Sequence, residues 1–155
     1  MTGVPAVTYR STQATYFALV ALVVLAVAAG VWTASADEID ATAVIAWIVL
    51  GLVAVMAAIF SRLTVMVGKG QVLAQFGPGR PSRRYRLSEV TSVEVVRNKW
   101  WYGWGVRWIP GGSMYNVWGL DAVELRLESG KVFRIGTDEP ERLRAAIEAE
   151  RARAS

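Results

Sequence analysis

Two segments of this chain concentrate side chains able to hold a ligand. Arg97-Asn98-Lys99-Trp100-Trp101-Tyr102 interleaves bases with aromatics, and Arg80-x-x-Arg83-Arg84-x-Arg86 sets four guanidinium groups just after a proline–glycine break. Indole and phenol rings favour the headgroup layer of a bilayer, where bases at the same depth meet anionic lipid phosphates. Each segment also has a plainer reading. Tyr102, Trp104, Val106 and Trp108 fall on one face of an extended segment and fit an inward, packed face. The four arginines fit a solvated strand edge whose charge discourages pairing with another sheet. Trp100 and Trp101 are adjacent, so in an extended segment they cannot both point inward. At least one of them is expected to meet membrane, partner or solvent.

Other chemistry is poorly supplied. The 155 residues contain no histidine and no cysteine, which excludes disulfides, thiolate metal sites and the commonest general base. There is no Gly-x-Ser-x-Gly elbow, no phosphate loop and no carboxylate pair placed for acid and base roles. Asp121 and Asp138 sit at turns, where Asp serves local hydrogen bonding or helix capping. No loop carries the spaced oxygen ligands of a calcium site. A basic patch without a reading motif does not point to nucleic acid. The sequence therefore predicts no catalytic residue, no cofactor and no metal.

The elements that position these residues begin with two apolar runs. Residues 14–36 and 41–61 contain no Asp, Glu, Lys or Arg, and only Asp37, Glu38, Ile39 and Asp40 separate them. Each exceeds the roughly 20 residues that cross a hydrocarbon core. They predict a two-helix transmembrane hairpin with a short extracytoplasmic loop at 37–40, a cytoplasmic tail at 1–13 and a cytoplasmic domain at 62–155. Arg10, Arg62 and Lys69 flank the hairpin on one side while the loop holds only acids, which places both termini in the cytoplasm of a cell whose inner membrane the chain crosses. A signal peptide with a small-residue cleavage site at Ala34-Ser35-Ala36 is the competing reading of the first run. The length of its apolar stretch and Trp32 at its end favour the span. With no ionisable residue inside either run, a proton relay or gating charge within the bilayer is not expected. From Arg62 onward 16 Lys and Arg stand against 10 Asp and Glu, so the soluble part carries +6 and is drawn toward an anionic leaflet.

Beyond Leu63 the apolar pattern alternates. Val65 and Val67, then a Gly68-Lys69-Gly70 turn, then Val72, Ala74 and Phe76 predict a β-hairpin directly below the membrane. Gly77-Pro78-Gly79-Arg80-Pro81 breaks the chain. Further strands are expected at Tyr85–Leu87, around Val93–Val95, over Tyr102–Trp108, at Met114–Trp118, at Val123–Leu127 and at Lys131–Ile135. The glycines at 103 and 105 suggest close approach of another backbone. From about residue 139, Leu143, Ala146 and Ile147 form the apolar stripe of a helix with Glu139 and Glu141 at its start and Arg151 and Arg153 at its end. Seven or eight short antiparallel strands and one terminal helix make an α+β domain, a small curved sheet or partly open barrel covered at one end.

Several of these segments together resemble a known pattern. Tyr102-x-Trp104-Gly105-Val106-Arg107, Tyr115-Asn116-Val117-x-Gly119, Val123-Glu124-Leu125 and Gly130-Lys131-x-Phe133-x-Ile135-Gly136-Thr137-Asp138-x-Pro140-x-x-Leu143 resemble the bacterial pleckstrin-homology-like (PH-like) domain of small two-helix membrane proteins. The resemblance implies a small antiparallel barrel of about seven strands capped by a C-terminal helix. It implies no activity. The phosphoinositide pocket of eukaryotic relatives does not carry over, because the first hairpin loop here is short and offers only Lys69.

The expected function is a noncatalytic, membrane-anchored module that binds a protein partner, a second copy of itself or the inner-leaflet surface, with anionic headgroups as possible ligands. Arg97, Lys99, Trp100 and Trp101 are the candidate membrane or partner surface, and Arg80, Arg83, Arg84 and Arg86 the candidate basic patch. The alternative is an auxiliary subunit of a larger membrane complex that docks through its hairpin.

Overall fold

A computed structural model describes residues 7–35 and 40–154 of the chain, without the side chains of residues 17 and 18. It shows an α+β protein with two sheets, two apolar helices near the N-terminus and one amphipathic helix at the C-terminus. The first element is a strand, β1, at Tyr9–Ala14, where a tail had been expected. Tyr9, Ser11 and Gln13 turn inward while Arg10, Thr12 and Ala14 are exposed. That alternation is carried mostly by polar residues, so hydropathy alone does not reveal it.

Two helices follow, α1 at Phe17–Ala34 and α2 at Ala41–Phe60. They pack on each other, with Gly30 facing the ring of Trp47. Asp40 caps α2 by accepting the Ala43 N–H at 2.9 Å. Most of the expected loop at 37–40 lies outside the described residues. Among the described residues α2 alone is long and apolar enough to cross a membrane, by length and composition, with a mean hydropathy of 2.8, and the described apolar part of α1, Leu19–Ala34, is shorter.

The chain re-enters the domain at once. Strand β2, Arg62–Gly68, starts two residues after α2 ends and pairs antiparallel with β1, from Tyr9 opposite Val67 to Ala14 opposite Arg62. One more bond, from Thr15 N–H to the Ser61 carbonyl at 2.9 Å, carries this ladder to the feet of both helices. The expected hairpin is present: β2 turns at Lys69 and Gly70, both at positive φ, into β3 at Gln71–Phe76. Strand β4, Ser82–Arg86, pairs with β3 and closes the first sheet in the order β1-β2-β3-β4.

The second sheet contains β5 (Val90–Arg97), β6 (Gly105–Ile109), β7 (Gly112–Asn116), β8 (Asp121–Leu127) and β9 (Val132–Gly136) in the order β5-β8-β9-β7-β6. Among the described residues, nine strands in two sheets replace the expected seven or eight in a small curved sheet or partly open barrel, and they do not form a closed barrel. Nor is the pairing wholly antiparallel, since β7 runs parallel to β9. Gly112 makes that contact possible, because a Cβ there would collide with the carbonyl of Val132. The close backbone approach therefore occurs at Gly112, whereas at Gly105 a Cβ would meet open space and at Gly103 only the Arg107 side chain.

One core fills the space between the sheets. The alternating sets read from the sequence meet there: Leu63, Val65 and Val67; Val72, Ala74 and Phe76; Val123, Leu125 and Leu127; Phe133 and Ile135. Aromatic rings run through it as a chain, Phe60–Phe76–Tyr115–Phe133–Tyr85, with centroid spacings of 5.1, 5.2, 5.3 and 4.9 Å. Helix α3, Pro140–Ala154, completes the core with Leu143 and Ile147, both fully buried. It is held at its end by Glu150, which accepts the Gly70 N–H and the Thr8 hydroxyl, each at 2.9 Å. Those bonds keep the Glu150 carboxyl below its usual pKa, the Gly70 N–H contributing most.

Candidate functional site

The final turns of α2 form the centre of the site. Val53, Met56, Ala57 and Phe60 line one side of a cleft of about 580 Å³, and Trp104, Val106, Val117 and Trp118 line the other. Trp104 and Trp118 stack, with ring centroids 5.5 Å apart and planes 13° from parallel. Val53 and Phe60 are seven residues apart, about 10 Å along a helix axis. The stacked indoles therefore stand beside the helix, level with its last two turns, and not below its end.

A second cleft, about 650 Å³, opens on another flank of the same turns. Met56, Ile59 and Phe60 meet Arg80, Pro81, Ser82, Arg83 and Tyr115 there. The Gly77-Pro78-Gly79 turn abuts the helix end: the Gly77 N–H donates to the Arg62 carbonyl at 2.9 Å, and a Cβ on Gly77, which has φ +41°, would come within 2.7 Å of the Ile59 carbonyl. The proline–glycine break thus delivers Arg80 to the foot of α2.

The four-arginine segment is divided by its strand. On β4, Arg83 shares the face of Tyr85, which points to the core and packs on Phe133, so Arg84 and Arg86 project from the opposite face. Burial raises the Tyr85 phenol pKa, and the nearby Arg83 charge partly opposes that rise. Only Arg80 and Arg83 reach the second cleft. As the sequence allowed, β4 is also a sheet edge. None of the four arginines pairs with a carboxylate among the described residues.

The aromatic segment does not continue as a strand. Trp100–Tyr102 is a short 3₁₀ turn, and both Trp100 and Trp101 are exposed, at 75% and 60%. Lys99 lies over the Trp101 ring at 5.1 Å, and Arg97 meets Asp121 at 3.5 Å in an exposed pair. The inward aromatic face expected over Tyr102–Trp108 is absent. Trp104, Val106 and Trp108 are all exposed, Trp108 at 83%. Their alternation is real, but β6 is the outermost strand of its sheet and the core is already filled by β7, β8 and β9. Tyr102 instead covers the outer face of the sheet, where Arg134 lies 5.9 Å from its ring and binds Glu124 at 2.7 Å and Asn98 at 3.2 Å.

Arg107, Trp118 and Phe60 belong to the site and were not singled out by sequence. Trp118 follows a short strand and Phe60 ends an apolar run, and no local pattern links either to Trp104. Among the described residues no group of three or more Asp or Glu side chains converges as a metal site would require. No protein-family model matches the chain, and no curated protein matches it.

Proposed function

We propose that this protein is a noncatalytic, membrane-anchored PH-like module whose domain lies on the inner leaflet of the cell membrane and uses that fixed placement to contact a protein partner or a second copy of itself. In this reading α1 and α2 cross the bilayer as a hairpin and both termini are cytoplasmic. The observation that carries it is the arrangement at the end of α2. The Trp104–Trp118 stack occupies one flank of an apolar helix and the Arg80–Arg83 pair another, at one level. Aromatic rings and bases at one depth are what a headgroup layer selects. Only 6% of the apolar window of α2 is buried, which argues against the core helix of a soluble protein, and its start at residue 41 argues against a signal sequence. The PH-like assignment is supported by two sheets sharing one core with a C-terminal helix across it, although the parallel β7–β9 pair departs from an all-antiparallel barrel. Protein association is favoured by β6, an open sheet edge whose own Trp108 is largely exposed.

The test uses the full chain in liposomes, with Trp32→Phe and Trp47→Phe so that fluorescence comes from the domain. Lipids brominated near the headgroup should quench the domain tryptophans more strongly than lipids brominated deep in the chain. No quenching at either depth would remove the leaflet contact from the proposal. Because the chain lacks cysteine, Asp40→Cys and Arg153→Cys can be labelled from opposite sides to test the topology.

A further inference from the structure

The second cleft, at the foot of α2, gathers hydrogen-bond donors with no negative charge to meet them. Arg80 and Arg83 line it together, and neither has a carboxylate within ion-pair distance among the described residues. Two like charges brought to one cleft repel, and an anion between them relieves that repulsion. The loop that carries Arg80 is held on both sides: the Gly79 N–H donates to the Phe76 carbonyl at 2.8 Å and the Phe76 N–H to the Pro81 carbonyl at 2.9 Å. Arg83 is fixed by the ladder of β4, opposite Ala74 of β3. Tyr115 supplies an independent observation. Only 3% of it is exposed, and its ring lies between those of Phe76 and Phe133, at 5.2 and 5.3 Å. Packing alone would accept phenylalanine there, as it does at both neighbours. The Tyr115 hydroxyl has no hydrogen-bond partner among the described residues, yet it is not sealed in the core, and this cleft is where the residue reaches open space. Burial raises the Tyr85 phenol pKa, Arg83 opposes the rise and Tyr115 adds to it, so these three groups share one corner of the fold.

We infer that this cleft binds a phosphate group, whose oxygens accept hydrogen bonds from the Arg80 and Arg83 guanidinium groups and from the Tyr115 hydroxyl. All three side chains can donate, and the guanidinium fork matches phosphate oxygens in pairs. No Asp or Glu lines the cleft to repel the anion. The remaining wall is Met56, Ile59 and Phe60, the apolar end of α2, which a bare anion does not need and a lipid can cover with its glycerol and first methylenes. That wall favours an inner-leaflet lipid over a soluble phosphate as the carrier. The choice of carrier rests on the leaflet placement proposed above, whereas the phosphate site stands on the cleft alone.

Isothermal titration calorimetry of the full chain in phosphatidylcholine nanodiscs tests the site, with water-soluble dihexanoyl phosphatidic acid, dihexanoyl phosphatidylcholine and inorganic phosphate as titrants. One phosphatidic acid per chain, bound at least about tenfold more tightly than phosphatidylcholine, is expected. The Arg80→Gln, Arg83→Gln pair should weaken that binding about tenfold or more, while Arg84→Gln, Arg86→Gln, which removes the same charge from the opposite face of β4, should change it less than about twofold. Tyr115→Phe keeps the ring stack and should weaken binding about threefold to tenfold with the near-ultraviolet circular dichroism unchanged. Inorganic phosphate binding as tightly as the lipid, with the same dependence on Arg80 and Arg83, supports the site with a soluble carrier; binding about tenfold weaker supports the lipid. Equal affinity for the two lipids without binding of inorganic phosphate, equal loss in the two arginine pairs, or unchanged affinity in Tyr115→Phe overturns the inference. If brominated-lipid quenching persists in that case, the leaflet contact survives and only the phosphate site fails. Phosphate binding without quenching in the parent chain removes the leaflet placement and leaves the site.

Discussion

The aromatic chain through the core predicts a measurable coupling between α2 and the two sheets. Phe60, the last residue of α2, meets Phe76 edge-on at 5.1 Å and 65°, and Phe76 is fully buried. Phe60→Leu keeps most of the apolar volume and removes one ring contact. Phe76→Leu removes two, because Tyr115 lies 5.2 Å away on its other side. Such pairs contribute about 0.5–1.5 kcal/mol beyond area burial. Leu for Phe at near-constant volume adds less than about 1.5 kcal/mol of packing cost. The single variants should therefore lose about 1 kcal/mol at residue 60 and about 2 kcal/mol at residue 76. The double variant should lose less than their sum by about 1 kcal/mol, the share belonging to the lost pair. Urea unfolding of the full chain in micelles, followed by near-ultraviolet circular dichroism, measures all four corners of the cycle. A coupling below about 0.3 kcal/mol, within the error of additivity, would refute the idea that Phe60 ties α2 to the core through this ring.

Three other expectations follow from single contacts. Gly112→Ala should cost about 1–3 kcal/mol by forcing β7 from β9, whereas Gly51→Ala, with open space around it in α2, should not destabilise; thermal melts of the two variants compare them. Because hydrogen bonds lower the Glu150 pKa from its ordinary 4.5, its contribution is fully present above that value and is lost as pH falls through the lower folded value; Glu150→Gln should flatten this part of the acid unfolding curve. In liposomes containing anionic lipid, the Arg80→Gln, Arg83→Gln pair should weaken leaflet contact by about 1 kcal/mol per charge, while Arg84→Gln, Arg86→Gln has a smaller effect; quenching by headgroup-brominated lipid reads the difference.

Most of the core was legible in the sequence because its strands alternate cleanly. Val123, Leu125 and Leu127 and the hairpin around Lys69 appear where period-two patterning and turn chemistry place them. Strand β1 was hidden because polar Ser11 and Gln13, with Tyr9, carry its inward face beside two helix feet. The same alternation rule misplaced Trp104, Val106 and Trp108. Periodicity identifies residues that share a face, but the order of strands decides whether that face meets a core, and β6 is at an edge. Of the candidate surface residues, Trp100 and Trp101 are both exposed, more than adjacency required, while on β4 Arg83 lies on the face opposite Arg84 and Arg86, and Arg80, which precedes the strand, joins Arg83 at the second cleft. The cleft was not legible at all, since Phe60, Trp104 and Trp118 meet only through the long-range packing of two sheets.

The junction between helices and domain contains almost no spare chain. Thr15 and Tyr16 alone separate β1 from α1, Ser61 alone separates α2 from β2, and a backbone hydrogen bond staples Thr15 to Ser61. A tether of Gly and Ser would let a domain swivel and sample every orientation below its anchor. Here the head has no swivel. A roll or tilt of the helix pair must turn both sheets with it, so the direction in which Trp108 and the β6 edge look is set by how the two helices stand.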